Sequence, residues 1–239
     1  MLHIYKSPDA VSHALAEWIT QTIETTLQKQ DRFTWVVTGG NSPKQLYELL
    51  AASPFRERIN WSKLHIFWGD ERAVPFTDSR NNAKMTFELL IDKVPVVREQ
   101  VHIMDTSLSP EESAKGYEAL LHQYFKEEGP TFDLVLNGMG DDGHTLSLFP
   151  HTPVIHEKQA WVKSFYLDAQ QMYRITLTAP VVNRAGKVVF LTFGANKSNA
   201  LFEVLKGAPA IDQYPSQVIQ PASGELHWFV DEAAASLLK

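Results

Sequence analysis

Short runs of β-branched and aromatic residues alternate along this chain with longer amphipathic stretches, and that alternation limits the fold more than any other feature. It is the signature of α/β units arranged as a mostly parallel central sheet flanked by helices, Rossmann-like in class. Expected strands are Phe33 to Thr38, Leu64 to Trp68, Val101 to Met104, Phe132 to Asn137, Tyr173 to Leu177, Val188 to Phe193 and Leu226 to Val230, with a further strand at the amino terminus. Between Asp9 and Gln28, the residues Val11, Leu15, Trp18, Ile19, Ile23 and Leu27 recur at helical spacing, which predicts a packing helix. Pro110 followed by Glu111 and Glu112 reads as the first turn of another helix, running to about Glu128. Glycine and proline fall at element ends and no repeat or linker interrupts the pattern, so a single α/β domain over residues 1–239 is expected.

Composition excludes several functions. The absence of cysteine rules out disulfides, a thiol nucleophile and cysteine-ligated metal, and suits the cytoplasm. No apolar run approaches the roughly 18 residues needed to cross a bilayer, and the amino terminus lacks the pattern of a signal peptide, so no membrane partner is expected. A net charge of −6, with 22 basic residues scattered rather than striped, argues against nucleic acid. An anionic ligand would need a local positive site.

Four segments carry chemistry. In TGGNSPKQLYELL a strand passes through Gly39, Gly40, Asn41 and Ser42 to Pro43. Glycines let backbone approach a ligand, and helix-start N–H groups bind anions. The same residues also describe a plain turn with Ser42 as N-cap and Pro43 at the first helical position. In HIFWGDERAVPF a strand ends at Gly69 and is followed at once by Asp70, Glu71 and Arg72. A parallel sheet binds ligands at the carboxyl ends of its strands, and Arg72 there can clamp a phosphate; a solvated turn with an internal ion pair is the plainer alternative.

The third segment is FDLVLNGMGDDGHTLSLFP. Gly138, Gly140 and Gly143 satisfy the dinucleotide-binding pattern, but Asp141 and Asp142 would face the pyrophosphate and Pro150 limits a following helix to about two turns. A glycine turn that presents acids and a histidine suits proton transfer. His144 is the best general-base candidate, with Asp142 to orient it. In the fourth segment, VVFLTFGANKSNAL places Lys197 at a helix start after Gly194, and RITLT holds Arg174, which either reaches a ligand or pairs with an acid along its strand. No serine-nucleophile elbow and no zinc-ligand spacing occurs.

Taken together, Thr38-Gly39-Gly40-Asn41-Ser42-Pro43, Asp70-Glu71-Arg72 with Val74-Pro75, Gly138 to Pro150, Arg174-Ile175-Thr176, Gly194 with Lys197, and the closing LHWFVDEAA resemble the 6-phosphogluconolactonase family. That family shares its fold with glucosamine-6-phosphate deaminase and ribose-5-phosphate isomerase. Thr38, Asn41 and Ser42 stand where the family's first loop usually reads Ser-Gly-Gly-Ser-Thr-Pro, and hydrogen-bonding capacity is retained. The sister deaminases continue the glycine-histidine turn with Phe-Asn-Glu-Pro, whereas Ser147-Leu148-Phe149-Pro150 follows here.

The resemblance implies hydrolysis of 6-phospho-D-glucono-1,5-lactone, the second step of the oxidative pentose phosphate pathway, without metal or cofactor. It implies His144 as the base on water, Asp142 as its support and Arg72 as an oxyanion or phosphate donor. Gly39, Gly40, Asn41, Ser42, Arg72 and Lys197 are expected at the phosphate, and Gly140, Gly143 and Arg174 in contact with substrate. The alternatives are a deaminase-like enzyme and a sugar-phosphate-binding protein without catalysis. Oligomeric state is left open.

Overall fold

The computed structural model describes residues Met1–Leu238. Its elements in chain order are β1 (Leu2–Tyr5), α1 (Pro8–Leu27), β2 (Phe33–Val37), α2 (Lys44–Leu50), α3 (Phe55–Arg58), β3 (Leu64–Trp68), β4 (Asp70–Arg72) and α4 (Asn82–Leu89). There follow β5 (Val101–His102), α5 (Pro110–Tyr124), β6 (Leu134–Gly138), β7 (Val162–Leu167), β8 (Met172–Leu177), α6 (Ala179–Val182), β9 (Lys187–Thr192), α7 (Ser198–Lys206) and β10 (Glu225–Asp231). No helix among the described residues is long and apolar enough to cross a membrane.

Seven strands form a parallel sheet in the order β1-β10-β9-β6-β2-β3-β5. Its central strands are near-continuous apolar runs because both faces are covered, and every residue of β2 is buried. Val135, Phe190 and Trp228 pack on one face with Leu121 of α5. Trp35 and Leu136 pack on the other with Val11, Leu15, Ile19 and Ile23 of α1. Trp18 and Leu27, expected on the same stripe, are only partly covered.

Local signals set the helix starts. Ser7 caps α1 by accepting the N–H of Ala10, with Pro8 in the first turn. Ser109 and Glu112 form a capping box on α5, around Pro110. This helix stops at Tyr124 instead of Glu128, because Phe125 turns extended to bury its ring and the acids beyond it would face the negative end of the helix dipole.

Two expectations for strands are corrected. Tyr173 to Leu177 is a strand, but it is not in the central sheet: β8 lies between β4 and β7 in a separate antiparallel sheet. The segment Asp70-Glu71-Arg72 is not a solvated turn either, since it pairs with β8 in the register Asp70↔Thr176, Glu71↔Ile175, Arg72↔Arg174. Neighbouring strands, which sequence periodicity does not report, convert three charged residues into strand.

From β2 the chain runs outward on one side to β3 and β5, then returns to β6 on the other side of β2 and continues to β9 and β10. The β2/β6 boundary is therefore a topological switch point, where loops leaving the carboxyl ends of two adjacent strands diverge and open a crevice. Two buried tyrosines fix the carboxyl ends of β2 and of its other neighbour, β3. Tyr47 of α2 accepts from the N–H of Thr38 at 2.9 Å and donates to its carbonyl at 2.7 Å; Tyr117 of α5 does the same for Trp68. Burial raises both phenols well above their ordinary range, so they remain neutral donors.

One core residue carries a local cost. Asn137 of β6 is fully buried, and neither its amide oxygen nor its nitrogen has a partner among the described residues. An unpaired buried polar group costs about 1–3 kcal/mol. Asn137→Leu, close in volume, is expected to stabilise the fold by about that amount, read as a higher urea midpoint at unchanged slope. A lower midpoint would show that the amide is satisfied in solution.

Candidate active site

The crevice at the switch point is a cleft of about 390 Å³, lined by residues from six parts of the chain. The loop after β2 contributes Thr38 to Ser42. The β4 strand gives Asp70 and Arg72, and Asn82 opens α4. The turn after β6 supplies Gly138 to Gly140, His144 and Leu146. Arg174 of β8 and the Phe193 to Lys197 segment complete it.

In the turn after β6, Asp142 and His144 form a compact pair: Nδ1 of His144 lies 2.6 Å from Oδ1 of Asp142, and the same oxygen accepts the backbone N–H of His144 at 3.0 Å. The turn is closed by Gly140 N–H donating to the His144 carbonyl and Gly143 N–H to the Gly140 carbonyl. Gly143 has φ +76, which favours glycine, and its carbonyl is held by both the N–H and the hydroxyl of Ser216. Gly140 is required for space, since a Cβ there would fall 2.1 Å from Nδ1 of His144 and 2.4 Å from Oδ1 of Asp142.

The imidazole stacks on Phe149, with ring centroids 4.1 Å apart. Burial pulls the Asp142 carboxyl up, but the hydrogen bonds and charge of His144 outweigh it and leave Asp142 below its ordinary value. A carboxylate at Nδ1 leaves Nε2 as the imidazole's free acceptor. No helix follows this turn; residues 145–149 form turns and a single bridge between Thr145 and Leu148, with Leu146 at φ +54.

The loop after β2 is irregular. α2 begins at Lys44 with Pro43 as its cap residue and no side-chain capping bond, so the expected N-cap role of Ser42 is not found. Gly40 has φ +89, and Gly39 lies so close to Asn82 that a Cβ would sit 1.9 Å from the amide oxygen. Asn82 in turn donates to the carbonyl of Asp70 at 3.0 Å.

Behind these loops lies a polar network. Asp70 accepts from Ser147 Oγ at 2.6 Å and lies 3.5 Å from Arg174. Arg174 is 2% exposed, is stacked over Phe149 and donates to Gln170. Its Nε and Nη1 make no hydrogen bond among the described residues, although Nη1 faces Asp70 Oδ2 at 3.5 Å. Arg174 thus pairs with an acid, Asp70, and also lines the cleft. Burial draws its pKa down, with Asp70 opposing. Arg72 donates Nη1 to the Arg80 carbonyl at 2.7 Å.

Lys197 is the last residue of a tight turn and the cap residue of α7. The buried carboxylate of Asp231 anchors that segment by accepting from the N–H groups of Gly194 and Ala234. Three cations thus converge on one cleft of a chain with net charge −6, the local positive site that an anionic ligand requires.

Every sequence-predicted site residue except Asp142 and Gly143 lines the cleft, and those two support the His144 turn from behind. Asn82, Met139, Leu146, Phe193 and Asn196 line it too and were not anticipated. Asn81 as the cap of α4 is readable from sequence, but the return of Asn82 beneath Gly39 is a tertiary contact without a sequence signal. Among the described residues no group of three or more His, Asp and Glu side chains is gathered to hold a metal ion.

Glu71, 1% exposed, lies behind the cleft wall. Burial pushes its carboxyl up to about 7; N–H bonds from Asn82, Ala83 and Arg72 oppose the rise and the charge of Asp70 adds to it. The folded state therefore holds this proton more tightly than the unfolded chain does. The contribution is full below about pH 4.5 and is lost as pH rises through about 7, an expected fall of roughly 3 kcal/mol. Unfolding curves of wild type and Glu71→Gln across that window check it: the wild-type stability should fall more steeply, and parallel curves would refute the shift.

The fold is the one shared by sugar-phosphate isomerases and lactonases. Residues 6–228 match the family of glucosamine-6-phosphate isomerases/6-phosphogluconolactonase, and the chain belongs to that family. It is 40% identical over 225 residues to a 6-phosphogluconolactonase of Synechocystis sp., covering 92% of this chain and 91% of that one. The solved 6-phosphogluconolactonase of Thermotoga maritima superposes with a TM-score of 0.83 at 30% identity, over 97% of this chain and all of the other. A monomeric glucosamine-6-phosphate deaminase also shares the fold, with a TM-score of 0.85 over 99% of each chain, at 17% identity.

Proposed function

We infer that this chain hydrolyses 6-phospho-D-glucono-1,5-lactone to 6-phospho-D-gluconate. The observation that carries the reading is the Asp142–His144 pair, aimed into a cleft edged by Arg72, Arg174 and Lys197. Similarity to 6-phosphogluconolactonases over nearly the whole chain supports the same substrate.

Asp142 holds Nδ1–H of His144, so Nε2 takes a proton from water as its oxygen attacks the lactone carbonyl. The tetrahedral intermediate carries an oxyanion that meets N–H donors of the glycine turn and a guanidinium; donors aimed at such a charge are usually the largest catalytic term. Collapse breaks the bond to the ring oxygen, which leaves with the proton returned from Nε2, and the new carboxylic acid ionises. The Gly39 to Ser42 loop, Arg72 and Lys197 take the phosphate, and Arg174, which lines the cleft and keeps a buried Nε without a hydrogen bond among the described residues, is the further contact.

The test is the rate of acid release from freshly generated lactone in weak buffer containing a chelator. Acceleration over the spontaneous rate is expected. No acceleration, together with ammonia release from glucosamine-6-phosphate, would replace the lactonase reading by the deaminase one.

A further inference from the structure

Glu71 takes no part in the chemistry above and does not line the cleft, yet it ties together the parts that do. Its Oε1 accepts the N–H of Arg72 at 2.8 Å and the N–H of Asn82 at 2.7 Å, and its Oε2 accepts the N–H of Ala83 at 2.8 Å. One carboxylate oxygen therefore closes both ends of the loop from Arg72 to Asn82.

Each end leads to the cleft. On one side Arg72 leaves β4 with its guanidinium lining the cleft and bound to the Arg80 carbonyl inside the same loop. On the other, Asn82 begins α4, grips Asp70 and lies against Gly39 with no space for a methyl group. Above about pH 7, where it is ionised, the carboxylate also meets the amino end of the α4 dipole, where negative charge is favourable. A glutamine in its place can offer only one oxygen and would set an NH₂ against a backbone N–H. With the amide oxygen in the Oε1 position the Ala83 N–H loses its acceptor and faces the NH₂, and in the flipped orientation the N–H groups of both Arg72 and Asn82 do.

We propose that Glu71 is a positioning residue for phosphate binding, pinning the Arg72–Asn82 loop so that Arg72 and the Gly39 turn hold the geometry that receives the anion. This rests on the reading above that those groups take the phosphate. The His144 turn is on a different element, so ground-state affinity should suffer far more than the chemical step.

The experiment is steady-state kinetics of wild type, Glu71→Gln and Glu71→Asp on the lactone, with inhibition by inorganic phosphate measured alongside. A misplacement of about 1 Å costs as much as 10²-fold, so in Glu71→Gln both KM and the phosphate inhibition constant are expected to rise at least about fivefold, with kcat within about threefold. Glu71→Asp, which keeps the charge, should recover part of the loss. Unchanged KM and inhibition constant in a folded variant would overturn the proposal, as would a kcat loss at constant KM. A merely structural role would lower the melting temperature and leave both constants in place.

Should neither variant fold, hydrogen exchange of wild type decides. Saturating phosphate is expected to slow the Asn82 and Ala83 amides, because binding and loop order are reciprocally linked, and unaltered exchange would overturn the role. Wild type that phosphate does not inhibit would instead bring down the phosphate assignment itself, and this proposal with it.

Discussion

His144→Ala is expected to lower kcat on the lactone by between tenfold and about 10⁴-fold while product affinity stays close to wild type, since a positioned general base contributes about 10²- to 10⁴-fold and the lactone is already reactive in water. The imidazole is held by one carboxylate at Nδ1 and by a ring stack on Phe149, and its removal takes no cation from the cleft. Kinetics and product inhibition, measured on the same preparation, separate the two effects. A variant with unchanged turnover would remove His144 from the mechanism. Asp142→Asn should share the loss in kcat through the tautomer: an amide that presents its NH₂ to Nδ1 turns the free proton of the imidazole onto Nε2, where the base must be unprotonated.

Gly140→Ala is expected to be nearly as damaging, although a methyl group is added and no functional group is lost. The new carbon would lie 2.1 Å from Nδ1 of His144 and 2.4 Å from Oδ1 of Asp142, inside any permissible contact, so the pair must move apart. A fall in kcat of at least about 10²-fold is expected, the loss that a displacement of about 1 Å from productive geometry produces. The fold should persist because the clash falls on side chains at the edge of an open cleft. The measurement is kcat with a circular dichroism melt. Wild-type kcat in a folded variant would mean that the pair adapts and that its observed geometry is not the catalytic one.

Much of this site is legible in the residues. The run from Gly138 to His144 announces a turn that presents acids and an imidazole, because glycine permits the backbone and the polar side chains have no apolar face to bury. The turn is found as expected, with Asp142 on Nδ1. The Gly39-Gly40 loop and Lys197 are similarly legible, since each follows a strongly apolar strand and precedes a helix. Arg174 was half legible: its strand is apparent, but the acid it pairs with lies about a hundred residues earlier.

The rest was not legible, for physical reasons. Asp70-Glu71-Arg72 has none of the composition of a strand, and it becomes one only because β8 offers a ladder and α4 offers N–H groups to Glu71. Asn82 looks like the start of an ordinary surface helix. Its place beneath Gly39 depends on how α4 lies across the switch point, which no local propensity encodes. The short antiparallel sheet escaped for a similar reason, as Val162–Leu167 mixes apolar and polar residues and is strand only by pairing with β8.

By itself the sequence determined the α/β class, the elements that carry the loops and the chemical type of the groups they present, because hydrophobic periodicity, caps and glycine are properties of neighbours along the chain. Only the tertiary structure decided that Arg72, Arg174 and Lys197 share one cleft with His144, and that a buried carboxylate at Glu71 joins the loop that grips an anion to the helix behind it. Those arrangements follow from the order of strands in the sheet and from contacts between residues far apart in the chain, whose geometry is set when both faces of the sheet are covered.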